Sequence, residues 1–269
     1  WQQYVRFLGE VVTFNFGESY QVQRGMPVSE LLADRLPVTI ELAILGQIAG
    51  LLFGIPLGIL SAVKQDTLTD HLTRVGALAG ISVPIYWSGP LLILLFAQVL
   101  GILPTSGRIG SAYFIDSTTG FILVDTLLAG NMAAFRSAVM HLLMPVVVLG
   151  IYSMAFISRM MRSSLLEVIR QDYMRTARAK GQGSKITVLK HGLRNAFIPV
   201  ITIIGIQFGS LLGGSVLTET VFEINGIGTL LVDAISRSDY PVVQATVLVF
   251  AFLYTLVNLF VDITYSMLD

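Results

Sequence analysis

The side chains best suited to catalysis are scarce and scattered in this chain. Its three histidines, His71, His141 and His191, fall in different inter-helix or helix-end regions and at no metal-ligand spacing. Cysteine is absent, which removes thiol nucleophiles, thiolate metal sites and disulfides together. The sequence holds no His-Glu-x-x-His, no Gly-x-Ser-x-Gly and no Gly-Lys pair of a phosphate-binding loop. Zinc hydrolysis, serine-hydrolase chemistry and Walker-type ATP binding therefore have no residues to carry them. What remains is charge and amide groups set in apolar sequence. Glu41 and Asp262 each sit near the end of a long apolar run, thin support for a proton relay, which needs such groups deep in the bilayer. Asn258 and Asp262 stand one helical turn apart and, with Gln207, are the candidates for lining a cavity or gate; a capping or interfacial role accounts for the first two equally well.

The elements that would position these groups are membrane helices. Of 269 residues, 54% are hydrophobic and 13% charged, against roughly 25% charged in soluble globular chains. Residues 38–63, 76–100, 139–158, 195–217 and 241–261 each carry at most one ionisable side chain over the length that crosses a bilayer core. The expected fold class is all-α, a polytopic transmembrane helical bundle with five spanning helices in view. A net charge of zero gives no field to recruit nucleic acid.

Charge lies between the helices. Residues 159–194 hold nine Lys or Arg against Glu167 and Asp172, whereas 218–240 hold Arg237 against Glu219, Glu223, Asp233 and Asp239. The positive-inside rule makes the first loop cytoplasmic. Alternation then puts 64–75 and the C-terminus inside, and 1–37, 101–138 and 218–240 outside. The expected division is an external N-terminal segment, 1–37, followed by a transmembrane domain, 38–269. The chain opens at Trp1 with no signal-peptide pattern, and an outside start needs a further helix upstream, which would make six.

Gly46, Gly50, Gly54 and Gly58, and again Gly205, Gly209 and Gly213, recur at i, i+4, the spacing of close helix packing. Pro56, Pro84, Pro90, Pro145 and Pro199 fall within or at the ends of the spans, where shape explains them as well as gating does.

The basic loop is too long and regular for a connector. Asp172 can cap a short helix ending near Gly181, and Ser184 can open a second segment with Ile186, Leu189 and Leu193 on one side and Lys185, Lys190 and Arg194 elsewhere. The result is a helix-turn-helix on the cytoplasmic face. A solvated positive-inside loop or contact with anionic lipid would satisfy composition alone.

The wording of this loop, Asp172-Tyr173-Met174-Arg175-Thr176-Ala177-Arg178-Ala179-Lys180-Gly181 followed by His191-Gly192-Leu193-Arg194-Asn195-Ala196 and Pro199, resembles the EAA loop of ABC-importer permeases, and specifically the dipeptide/oligopeptide branch. Arg175 stands where Glu is usual and Arg194 where Pro is usual, departures familiar in that branch. The resemblance continues through Leu103-Pro104-Thr105-Ser106-Gly107-Arg108, Thr119-Gly120-Phe121, Leu127-Leu128-Ala129-Gly130, Glu219-Thr220-Val221-Phe222, Gly226-Ile227-Gly228 and Arg237-Ser238-Asp239-Tyr240-Pro241.

The resemblance implies a type I ABC-importer permease fold of six helices in the cytoplasmic (inner) membrane, in contact with lipid. It makes Tyr173, Met174, Arg175, Thr176, Ala177, Arg178, Ala179, Lys180 and Gly181 the contact with an ATPase subunit. It implies a second homologous permease, two ATPase subunits holding ATP and Mg, and an external substrate-binding protein. The chain itself would bind no cofactor and catalyse nothing. The outer segment is expected to form a lid or docking surface through Glu219, Phe222, Glu223 and Asp239, a plain packing element being the alternative reading. The implied cargo is di- or oligopeptides; related permeases take nickel complexes, glutathione, haem or opines. A secondary transporter or channel, and an intramembrane enzyme, are the competing classes.

Overall fold

In hydrocarbon every backbone amide and carbonyl has to be paired within the segment, so long apolar runs resolve as helices. The computed structural model describes residues 1, 5, 9–183 and 186–268 and, among these, builds the chain from helices and loops with one isolated β-bridge, Glu18 with Pro27. The long helices are α1 (Val28–Val63), α5 (Met132–Ile169), α7 (Leu193–Val221) and α9 (Tyr240–Leu268). Shorter ones are α2 (Leu68–Ser82), α3 (Ile85–Leu92), α4 (Ile122–Leu128), α6 (Asp172–Ala179) and α8 (Ile227–Ser236). A π-helical stretch, Ile93–Val99, prolongs α3, and another, Thr187–Gly192, leads into α7.

Among the described residues four helices are long and apolar enough to cross a membrane, and α2 with the α3 stretch, bent by 100° at the break between them, makes a fifth only if the pair is counted as one span. The second apolar run, one uninterrupted helix over 76–100 by its hydropathy, breaks at Pro84, because Val83 before the proline is driven to an extended conformation (φ −84°, ψ 118°). Pro90, Pro145 and Pro199, by contrast, lie inside helices. The first helix also starts earlier than its apolar run, at Val28 rather than residue 38. Asp34 and Arg35 interrupt the hydropathy without breaking the helix, and Val28, Leu31 and Leu32 beneath them are buried.

The chain divides into two compact units. The first comprises residues 1–43, 88–145 and 212–254. Its core joins Val28, Leu31 and Leu32 of α1 to Ile227, Leu230 and Ala234 of α8 and Val242 and Ala245 of α9. The ten-residue α8, inside the segment expected to face outward, is thus the centre of this core.

The second unit comprises residues 44–87, 146–211 and 255–269. In it the first glycine stripe packs as its spacing suggests. A Cβ would fall 2.7 Å from Leu149 Cβ at Gly46, 2.5 Å from Ser153 Cβ at Gly50, 3.1 Å from Ile157 Cβ at Gly54 and 2.6 Å from Met161 Cβ at Gly58. Only hydrogen fits there. Both series climb together, so these stretches of α1 and α5 run parallel, and Val63 and Ile169 end at the same side of the unit. The second stripe is less uniform: a Cβ at Gly205 would collide with Val261, whereas one at Gly213 would meet nothing within 4 Å.

Candidate functional site

The loop between α5 and α7 forms as a docked helix. α6 places Met174 inward, fully buried, with its Cε and Leu165 Cδ1 both 3.3 Å from where a Cβ on Gly192 would be. Tyr173 lies across the helix end, its hydroxyl accepting a hydrogen bond from Asn195 Nδ2 at 2.7 Å. These two side chains tie α6 to α5 and to the start of α7. Ala177 is half-buried, and Tyr173, Arg175, Thr176, Arg178, Ala179 and Lys180 are exposed.

Gly181 terminates the helix as its type suggests, with φ +80°. Its amide donates to Arg178 O at 2.9 Å and the Gln182 amide to Ala177 O at 3.3 Å, the paired bonds of a left-handed C-terminal cap. Asp172 is the first helical residue and not the expected cap; Gln171 holds that position without a side-chain bond, and the Asp172 carboxylate turns to Arg175 at 3.6 Å. Ser184 and Lys185, at the expected opening of the second segment, lie outside the described residues.

That second segment is the first part of the next span, continuous from Thr187 to Val221, and not a separate helix. Its inward face is Val188, Gly192, Ala196 and Val200, an i, i+4 series of small and apolar residues. Ile186 and Leu189, expected to pack, are exposed, and Leu193 is half-buried. The large apolar side chains mark a stripe in the sequence, but it is the smaller ones beside them that pack.

The acidic segment expected to face outward differs more from expectation. Glu219, Phe222 and Asp239 are buried and only Glu223 is exposed, so three of the four expected docking residues serve the interior of the first unit. Glu219 Oε1 accepts from Thr39 Oγ1 at 2.7 Å and Oε2 from the Thr229 amide at 3.0 Å, while Thr39 Oγ1 accepts from the Ile227 amide at 2.9 Å. The carboxylate thereby supplies acceptors at the start of α8, where backbone donors have no helical partner. Asp239 accepts from the Ser19 hydroxyl and the amides of Tyr20, Gln21 and Val22 at 2.6–3.2 Å. Burial works against its charge, but the Ser19 hydroxyl and the Val22, Gln21 and Tyr20 amides outweigh it and hold the carboxyl down at about 2.

Glu41 has a similar task. It accepts from the Ile122 and Leu123 amides at 3.2 and 3.0 Å and pairs with Arg108 at 2.6 Å, while Arg108 also donates to Gly120 O at 2.9 Å. The Leu103–Arg108 and Thr119–Phe121 motifs thus meet through one carboxylate.

The three cavity candidates differ in exposure. Gln207 is buried with an amide Nε2 that has no partner among the described residues, Asn258 is half-buried and Asp262 is exposed. An apolar cavity of about 420 Å³ in the second unit is instead lined by Gln47, Phe208, Phe260, Val261 and neighbours from α7 and α9, and by none of the three. Gln47, whose Nε2 is likewise unpartnered, escapes sequence reasoning because an amide amid leucines carries no motif.

A family model, binding-protein-dependent transport system inner membrane component, matches residues 54–269. The chain is 47% identical to the di/tripeptide transport system permease protein DppB of Pseudomonas aeruginosa over 99% of this chain and 79% of that protein. It is 44% identical to the dipeptide transport system permease protein DppB of Escherichia coli K12 over 100% and 80%. The fold matches inward-facing structures of the MetNI methionine ABC transporter with a TM-score of 0.68, at 17% identity, over 89% of this chain and 97% of that one. On the family match and this identity over nearly its whole length, the chain belongs to the binding-protein-dependent transport system inner membrane components.

Proposed function

We propose that the chain is a membrane-spanning subunit of an ATP-driven importer of short peptides, working with a second homologous permease, two ATPase subunits that bind ATP and Mg, and an external binding protein. The observation that carries this reading is α6. It is a short helix whose basic outer face is exposed and whose inner face is pinned to two long helices by Met174 and Tyr173. A partner that grips the outer face moves both spans together. ATP binding and hydrolysis in that partner would shift the balance between two permease conformations to the extent that it binds one better. The dipeptide and di/tripeptide names of relatives at 44–47% identity support the cargo. The residues of this chain do no bond chemistry in the cycle.

The test is uptake of a labelled dipeptide by proteoliposomes holding the assembled complex and given loaded binding protein. Uptake should require ATP in the compartment that the basic loop faces. Uptake that follows a proton gradient without ATP would assign the chain to secondary transport, and ATP-driven uptake of other solutes but not peptides would overturn the cargo.

A further inference from the structure

A basic cavity of about 420 Å³ in the second unit is lined by Arg74 of α2, by Phe156, Arg159, Arg162 and Ser163 of α5, and by Ile203 of α7. Its charge is not balanced from within. Asp70, fully buried, spends both oxygens elsewhere: Oδ1 accepts from the Ser61 hydroxyl and from Arg162 Nε, and Oδ2 from Arg162 Nη2 and the Asp66 amide. The two Arg162 bonds are each 2.7 Å, so that guanidinium is both neutralised and held in place. Among the described residues no carboxylate lies within ion-pair distance of Arg74 or Arg159. The cavity is open, and it presents two exposed guanidinium groups that have no ionic partner among the described residues, with Ser163 beside them and Phe156 and Ile203 in its lining.

We propose that this cavity binds the phosphate headgroup of an anionic phospholipid. Guanidinium pairs suit the tetrahedral array of phosphate oxygens, and a hydroxyl adds a neutral donor. The apolar wall offers a surface for the start of an acyl chain. Arg159 and Arg162 lie at the end of α5 that leads into the basic loop, and the charge bias of that loop places this end at the cytoplasmic leaflet, where anionic headgroups collect. A basic pocket between helices at that depth is how such headgroups are held. The cavity shares Arg162 and Ser163 with a second one that reaches Gln171 and Asp172 at the start of α6, and the proposal stands if the cargo is something other than a peptide.

The experiment is native mass spectrometry of the assembled complex, extracted from nanodiscs that mix phosphatidylglycerol with phosphatidylcholine. The wild type should retain phosphatidylglycerol. In R74Q/R159Q the retained fraction should fall by about thirtyfold, which is about 2 kcal/mol at tenfold per 1.4 kcal/mol, with no change for phosphatidylcholine. R74K/R159K preserves charge and should keep binding within a few-fold, which separates the site from a general effect on assembly. Equal retention of phosphatidylglycerol in the wild type and R74Q/R159Q overturns the proposal, as does an equal fall in retained phosphatidylcholine in that variant. Displacement of the lipid by inorganic phosphate, or by a dipeptide with a free but not an amidated carboxyl end, would also overturn it, by assigning the cavity to a soluble anion or to cargo.

Discussion

Ser19 donates its hydroxyl hydrogen to Asp239 Oδ2 at 2.6 Å across 220 positions of sequence. The same carboxylate collects the amides of the next three residues, so it fixes the turn that precedes α1 against the start of α9. Asp239→Asn removes the charge from four donors and should cost on the order of 3 kcal/mol, read as a lowered thermal unfolding midpoint and faster amide exchange in residues 19–27. The carboxyl is held below its ordinary 3.8, at about 2. Its contribution is therefore fully present above pH 4 and is lost as pH falls from there towards 2. The midpoint gap between wild type and Asp239→Asn should be constant from pH 7 to 5 and close below pH 4; a gap that persists unchanged to pH 2 would refute the assignment.

Glycine substitutions separate packing from propensity. A Cβ at Gly228 would lie 2.5 Å from Val216 Cα and 2.8 Å from Glu219 Oε2, whereas one at Gly213 meets nothing within 4 Å. Gly228→Ala should destabilise by about 1–3 kcal/mol. Gly213→Ala, inside α7, should be neutral or stabilise by about 0.5–1 kcal/mol. Thermal midpoints of the two purified variants decide this, and equal shifts would contradict the packing described for the start of α8.

Much of this is legible in the sequence, for physical reasons. Hydropathy over twenty residues marks a helix because lipid leaves the backbone no other partner, and the Gly46–Gly58 spacing marks its contact face. The left-handed end of α6 is legible because Gly181 is the residue type that conformation favours. Pairings between distant residues are not legible. A glutamate in an outer acidic segment reads as a surface charge, and nothing near Glu219 announces that Thr39 and the amide of Thr229 will enclose it. For the same reason Glu41 reads as a charge at a helix end and Asp239 as a docking residue. Pro84 differs from Pro145 and Pro199 only in what surrounds it, so the broken span hides among unbroken ones.

The parallel packing of α1 on α5 puts the ends of both helices on one side, the side that the positive-inside rule expects to be cytoplasmic. Because the chain has no cysteine, single thiols can be placed at the exposed Ser117 and Gln182 without background. A membrane-impermeant maleimide applied from outside should label Ser117→Cys in intact spheroplasts and Gln182→Cys only after permeabilisation. Labelling of both from outside would refute the orientation.

Gly181 has, among the described residues, nothing within 4 Å of where a Cβ would project, and has a φ of +80°. The cost of replacing it is thus conformational, about 1–2 kcal/mol for an ordinary residue, with a β-branched one worst placed. Gly181→Val should redirect the end of α6 and reduce ATP hydrolysis stimulated by loaded binding protein at least several-fold, with expression near wild type. Gly181→Asn, which tolerates that conformation, should retain most stimulation. Equal activity in both variants would remove the cap from the coupling geometry.

The contact between α6 and an ATPase subunit can be observed without inference from activity. A photoreactive group attached through Arg178→Cys, on the exposed face of α6, should cross-link to the ATPase subunit in the assembled complex, and the same group at Asp233→Cys on α8 should not. A complex that assembles and transports but yields no ATPase adduct from position 178 would contradict the role given to this helix.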